Sequence, residues 1–279
     1  TFYKEVSKRM FEKKGLVVEI ASNDGTYLMP FSKNKKFNVI GVDPAKNINK
    51  IAKKKFRIID DFFGKKVTNQ IINSNGKANL IFARNVLAHV KSIHEIVESI
   101  HQLLTDNGVA AIEFHYAKEI IDGNQYDSIY HEHLFYFSIK SLRDFFLRKK
   151  LYLFDAFKSP ISGGAIVLMF SKNKKNLLKN LNNLIKEEKF CKINALSSWI
   201  KFASNVKAHA KKLNTHLLNY NKNLKIMGYG ASARSSTLLN YINISNKTIH
   251  QIIDRNPIKE NKYTPGTNIK IVNYEDNKH

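Results

Sequence analysis

Tyr130-His131-Glu132-His133 places a phenol, two imidazoles and a carboxylate in four successive positions, inside an aromatic-rich stretch from Gln125 to Ser138. Histidine ordinarily titrates near neutral pH, so it can take and return a proton, and a neighbouring phenol or carboxylate can polarise or orient it. Zinc is a poorer match: its common helical spacing is His-Glu-x-x-His, and adjacent residues point in different directions. Nucleic acid is a poorer match too, because the cluster carries its own acid and few bases. A hydrogen-bonded loop packed by tyrosine and phenylalanine would need no chemistry. The segment, however, follows the fifth of a series of apolar runs, where the ligands of an α/β sheet collect. Proton transfer is the chemistry these residues suit.

A second constellation is Glu19-Ile20-Ala21-Ser22-Asn23-Asp24-Gly25, followed by Asp43 after the next apolar run. A nucleotide-type cofactor needs a tight strand-to-helix turn with close backbone approach, hence small or left-handed-tolerant residues at alternate positions. Ala21, Asn23 and Gly25 hold those positions, and asparagine accepts the left-handed region better than most. Glu19 suits a cationic or hydroxyl-bearing ligand better than a pyrophosphate. Asp43 is placed to accept hydrogen bonds from ribose hydroxyls. Two ordinary turns of an α/β protein would look similar singly; the acids in register favour a cofactor.

The elements that must position these groups alternate. Apolar runs at Leu16–Ile20, Phe37–Asp43, Phe56–Ile59, Ala78–Ala83 and Gly108–Phe114 read as strands, and Ile93, Ile96, Val97, Ile100, Leu103 and Leu104 have helical spacing. Strands alternating with helices imply a parallel sheet covered on both faces. Leu151–Phe157 and Ala165–Phe170 read as two further strands around Ser159-Pro160-Ile161-Ser162-Gly163-Gly164. Residues 174–220 hold no Pro or Gly and read as polar helix. A second α/β unit begins at Leu224, turns at Gly228-Tyr229-Gly230-Ala231, continues into a helix, and reaches another strand at Thr248–Ile253 ending in Asp254.

The chain has 279 residues, 43% hydrophobic and 25% charged, which suits a protein with a buried core and excludes wholesale disorder. No apolar stretch approaches the length of a membrane span, and no signal peptide opens the chain. One cysteine, Cys191, excludes an intrachain disulfide or a cysteine-based zinc site and points to a reducing, cytoplasmic compartment. The net charge of +23 would attract polyanions. Its lysines nevertheless sit in solvated Lys/Asn runs such as Lys172–Asn176, with no interleaved stacking aromatics, so neither nucleic acid nor membrane is the expected partner. The chain starts without methionine and stops soon after an expected strand, which reads as a fragment.

An acidic first-turn residue with a second carboxylate after the next strand resembles the class I S-adenosylmethionine (SAM) methyltransferases more than the dinucleotide enzymes. That resemblance implies Asp43 on the ribose, Asp60 or Asp61 at adenine and Asn85 at the methionine end. Five stretches are similar to the sugar C-methyltransferases that act on nucleotide-linked 4-keto-6-deoxyhexoses: Val18–Gly25, Asn85–Val90, Tyr130–His133, Gly228–Arg234 and Lys262–Thr267. They occur in the family's order across nearly the whole chain. The expected fold is α/β: a class I Rossmann-like SAM-binding domain over 1–173, a helical connector over 174–220, and a smaller Rossmann-like α/β domain over 221–279. The family's amino-terminal zinc module and usual carboxyl-terminal end are not in this sequence.

The resemblance implies His133 as base and Tyr130 as phenol donor. It implies Glu132 as the carboxylate orienting the imidazole, His89 as a further acid or base, and no metal. It implies SAM held by Glu19, Ala21, Asn23, Asp24, Gly25, Asp43, Asp61 and Asn85, and a nucleotide-sugar substrate at Tyr229, Gly230, Arg234 and Ser162. Two departures stand out: a family imidazole and guanidinium are replaced around Ser162 and Val167, and the usual lysine of the second glycine turn is Arg234. Other readings are an RNA methyltransferase, which lacks an Asn-Pro-Pro-Tyr-like stretch here, and a non-catalytic nucleotide-sugar binder, which would have no use for the Tyr130–His133 cluster.

Overall fold

Leu80 and Phe82 pack into one apolar cluster while Ile81 and Ala83 pack into another. A strand buried on both faces shows a continuous apolar run rather than alternation. In the computed structural model, which describes residues 2–275, this strand lies at the centre of a seven-stranded sheet. The elements run α1 (Phe2–Arg9), β1 (Gly15–Ile20), α2 (Met29–Ser32), β2 (Phe37–Val42), α3 (Lys46–Ala52), β3 (Arg57–Ile59), α4 (Lys65–Asn75), β4 (Ala78–Arg84), α5 (Ile93–Leu103), β5 (Leu104–His115), α6 (Ala117–Asp122), α7 (Ile139–Leu147), β6 (Tyr152–Ser159), β7 (Ala165–Ser171) and α8 (Lys179–Phe190). The sheet order is β3-β2-β1-β4-β5-β7-β6, with β7 antiparallel to both of its neighbours and the first five strands parallel. This is the class I methyltransferase sheet that the sequence resembles.

The two apolar clusters explain the layers. Val67 and Ile71 of α4 and Ile96, Val97 and Ile100 of α5 cover one face. Leu28, Phe31, Phe56 and Val6 cover the other, with Phe31 stacked on Phe82. Parallel strands direct all their carboxyl ends to one edge, so Glu19, Asp43, Arg84 and Asn85 arrive there together.

A second compact unit comprises residues 120–133 and 195–279, of which the last four are not among the described residues. It holds α9 (Leu196–Tyr220), β8 (Ile226–Tyr229), α10 (Ala233–Tyr241), β9 (Ile249–Asp254) and β10 (Lys270–Asn273), with a parallel three-stranded sheet in the order β10-β9-β8. Residues 120–133, expected in the first domain, belong here for a physical reason. The Tyr126 ring packs against His209 and Tyr241, its hydroxyl meets His209 Nδ1 at 3.1 Å, and Asp127 pairs with Arg234. The expected helical stretch 174–220 is two helices, α8 in the first unit and α9 in the second. Among the described residues no helix is long and apolar enough to cross a membrane.

Candidate functional site

In the first unit the turn after β1 adopts the backbone its residue types permit. Ala21, Asn23 and Gly25 have φ of 56°, 50° and 76°. At Gly25 a β-carbon would come within 2.5 Å of the Phe56 ring, so glycine is required for space as well as conformation. Asp43 is buried and clamps the turn: Asn23 N donates to Oδ2 at 2.9 Å and Ala45 N to Oδ1 at 2.8 Å. Each of its oxygens keeps a further lone pair.

Glu19 is 2% exposed, and its Oε2 has no hydrogen-bond partner. Burial pushes its carboxyl well above the usual range. Arg84 opposes that shift, while Asp24 and Asp43 reinforce it. Asn85, at φ 52°, likewise leaves a buried Oδ1 unpaired. Glu19, Ala21, Asn23, Asp24, Arg84 and Asn85 line a cavity of about 410 Å³. Next along the same strand ends is a cavity of about 680 Å³, whose wall includes Ala21, Asp43, Asp61, Phe62, His89 and Ile96.

Asp60 and Asp61 separate cleanly. Asp60 accepts from Asn49 Nδ2 at 2.8 Å and pairs with Lys53, whereas Asp61 lines the larger cavity and accepts from Lys66 Nζ at 2.7 Å and Phe62 N at 2.8 Å. His89 stands on the 3-10 turn Leu87–His89, in the wall that holds Asp43 and Asp61. Ser162 falls on the 3-10 turn Ile161–Gly163, and its side chain lies outside the described residues.

In the second unit the loop after the 3-10 turn Tyr126–Ser128 folds back on itself. His133 N donates to Tyr130 O at 3.0 Å, and the two rings lie 4.4 Å apart. His133 Nδ1 meets the Ser128 carbonyl at 2.8 Å, and Nε2 meets the Tyr130 hydroxyl at 3.3 Å. A carbonyl can only accept, so Nδ1 carries the proton and Nε2 presents its lone pair. The contact that orients the imidazole is therefore the Ser128 carbonyl. Glu132, expected in that role, is exposed and makes no hydrogen bond among the described residues. Burial holds the Tyr130 phenol above its ordinary value, Glu132 adds to the shift, and Arg234 opposes it.

Tyr229 ends β8 and is exposed, and Gly230 follows at φ 93° with open space where a β-carbon would stand. Ala231 N donates to Asp254 Oδ2 at 2.8 Å, repeating the Asn23–Asp43 clamp of the first unit. Arg234, expected at a substrate phosphate, is held by the Asp127 carboxylate at both oxygens. The structure thus groups the cofactor candidates in the first unit and Tyr130, His133 and Arg234 in the second. Sequence reading missed Ser128, because any residue type supplies a carbonyl, and Arg84, the charge that ends β4.

With this geometry established, two family profiles match the chain. A methyltransferase domain covers residues 1–150, and a C-methyltransferase C-terminal domain covers residues 160–279. The chain belongs to the methyltransferase-domain family, and its carboxyl-terminal part is similar to the C-methyltransferase C-terminal domain. C-methyltransferase NovU of Streptomyces niveus is 30% identical over 262 residues, covering 92% of this chain and 62% of that protein. The chain thus spans less than two thirds of that curated relative. Among solved structures it is similar to an S-adenosylmethionine-dependent methyltransferase of Clostridium acetobutylicum, with a TM-score of 0.49 and 12% identity over 62% of this chain and 90% of that one. It is also similar to a TehB-like SAM-dependent methyltransferase of Corynebacterium glutamicum, with a TM-score of 0.45 and 19% identity over 61% and 86%.

The cofactor of the methyltransferase domain is SAM. The first unit fits it on two independent grounds: a buried carboxylate and a buried amide oxygen stand unpaired in one cavity, and a turn built for close backbone approach separates that cavity from the Asp43 wall.

Proposed function

We propose that this protein transfers a methyl group from SAM to a carbon α to the ketone of a nucleotide-linked 4-keto-6-deoxy sugar. The observation that carries the reading is the phenol–imidazole pair: His133 Nδ1–H is committed to the Ser128 carbonyl at 2.8 Å, and Nε2 accepts from the Tyr130 hydroxyl at 3.3 Å.

In this reading Asp43 takes the ribose hydroxyls, Asp61 and the apolar wall of the larger cavity take adenine, and Glu19 and Asn85 take the ammonium of the methionine end. Ala21, Asn23, Asp24 and Gly25 shape the turn between them. Bound there, SAM supplies an electrophilic methyl on a sulfonium. The protein's own work is to make the acceptor carbon nucleophilic. When substrate binds, the Tyr130 hydroxyl turns from His133 Nε2 to the ketone oxygen on which charge develops, and the released Nε2 removes the weakly acidic proton α to that ketone. The raised phenol pKa keeps Tyr130 a donor. Glu132 adds negative charge beside it, and His89 is the further acid–base candidate in the first unit. Tyr229, Gly230 and Arg234 are the second unit's candidate residues for the nucleotide-sugar substrate, and Ser162 is the first unit's candidate.

The test has two parts. Calorimetric titration should show micromolar SAM binding that Asp43→Ala abolishes. Wild-type protein in deuterated water should exchange the α-proton of a nucleotide 4-keto-6-deoxyhexose, and His133→Ala should not. Absence of exchange and methylation across such sugars, with SAM binding intact, would sink the substrate assignment.

A further inference from the structure

Arg84 is used by neither the cofactor assignment nor the acid–base assignment above. It ends β4 at the same sheet edge as Glu19. Its side chain is only 8% exposed, and Nε is paired with the fully buried Glu113, its register partner on β5. The guanidinium carbon lies 3.3 Å above the Tyr27 ring and 4.7 Å from the Phe2 ring. One edge of the fork is thus tied and its plane is stacked on an aromatic face. Neither Nη nitrogen has a hydrogen-bond acceptor among the described residues.

The 410 Å³ cavity therefore has two unlike polar features. Glu19 Oε2 and Asn85 Oδ1 are unpaired acceptors, and the Arg84 guanidinium supplies unpaired donors. An ammonium has only donors, a carboxylate only acceptors, and a guanidinium matches a carboxylate with two parallel bonds. An α-amino acid zwitterion satisfies both features at once. Resting on the SAM reading above, we propose that Arg84 binds the carboxylate of the cofactor's amino-acid end, while Glu19 and Asn85 take its ammonium. Glu113 and Tyr27 hold the guanidinium flat and in place before any ligand arrives, which reduces the ordering cost of binding.

The experiment compares three ligands by calorimetric titration: SAM, decarboxylated SAM, and 5′-methylthioadenosine, which lacks the whole amino-acid end. Wild-type protein should bind decarboxylated SAM roughly ten- to a hundredfold more weakly than SAM. Arg84→Met should weaken SAM by a similar factor, bind 5′-methylthioadenosine within about twofold of wild type, and lose the preference for SAM over its decarboxylated form. Arg84→Lys should fall between, since an ammonium cannot make the fork. Equal weakening of all three ligands, or no preference for the carboxylate in wild-type protein, overturns the assignment. The wild-type comparison stands even if the Arg84 variants fold poorly. If wild-type protein binds neither SAM nor 5′-methylthioadenosine, the cofactor reading fails and this assignment with it. If it binds both and ignores the carboxylate, only the Arg84 assignment fails.

Discussion

Asp127 and Arg234, 107 residues apart in the chain, form a two-pronged ion pair. Arg234 Nε donates to Oδ2 at 2.8 Å and Nη2 to Oδ1 at 3.0 Å. Arg234 lies in the first turn of α10, and Asp127 lies on the 3-10 turn that leads into Tyr130 and His133. The pair thus ties the loop bearing the base to a helix, and its geometry is the kind that gives measurable coupling even when partly exposed.

Asp127→Asn and Arg234→Ala should each lower the methyl-transfer kcat about tenfold, with SAM affinity unchanged because the cofactor candidates lie in the other unit. A double-mutant cycle on unfolding should return about 1 kcal/mol of coupling. Arg234→Lys should restore only part of kcat, since an ammonium cannot replace the fork. A rise in KM at constant kcat would instead assign Arg234 to the substrate phosphate that the family resemblance implies.

His133→Ala should lower kcat by roughly two to four orders of magnitude, and Tyr130→Phe by roughly tenfold. Deuterium exchange at the acceptor carbon, followed without methyl transfer, separates these effects from cofactor binding. Burial holds the Tyr130 phenol above its ordinary value of about 10. The wild-type rate should therefore show no alkaline limb from loss of this donor below about pH 10. Glu132→Gln removes one contribution to the shift and should move any such limb toward lower pH.

Glu188 of α8 carries a structural load that can be measured. Its buried carboxylate accepts from Tyr116 Oη at 2.9 Å, Ile139 N at 2.7 Å, Lys140 N at 2.9 Å and Asn194 Nδ2 at 3.1 Å. Two of these donors are amides of the first turn of α7, where backbone N–H groups lack helical partners and a negative charge is favoured. Glu188→Ala leaves buried donors unsatisfied and should cost about 3 kcal/mol in urea unfolding. Glu188→Gln keeps one acceptor and should cost less.

The sheet was legible in the sequence because the strands at its centre are buried on both faces and read as apolar runs, as at Ile81 and Phe82. The position of Asp43 beside the first turn was legible for a related reason, since strand ends converge on one edge, whereas its clamp on Asn23 N and Ala45 N was not. What escaped depended on contacts distant in sequence. Residues 120–133 join the second unit through Asp127–Arg234 and Tyr126–His209, which no local pattern encodes. The break between α8 and α9 carries neither Pro nor Gly; Lys192 takes a left-handed backbone at φ 52° instead. The Ser128 carbonyl was invisible because its role belongs to the backbone.

Glu19 links stability and binding to pH with a definite sign. Burial raises its carboxyl above the ordinary value, so the folded protein keeps a proton that the unfolded chain has already released. Stability of the ligand-free protein should therefore fall as pH rises from the ordinary carboxylate range toward the raised value, and level off above it. Urea midpoints taken between about pH 5 and pH 8 would show that slope, and Glu19→Gln should flatten it and stabilise the ligand-free protein at neutral pH. Binding has the opposite sign. An ammonium beside Glu19 favours the carboxylate, so SAM affinity should rise with pH over the same window and binding should release a proton, detectable in buffers of different ionisation enthalpy. Glu19→Gln should abolish the proton release and weaken SAM roughly ten- to a hundredfold. Proton release unchanged in that variant would move the linked group elsewhere and leave the unpaired Oε2 without a cationic partner.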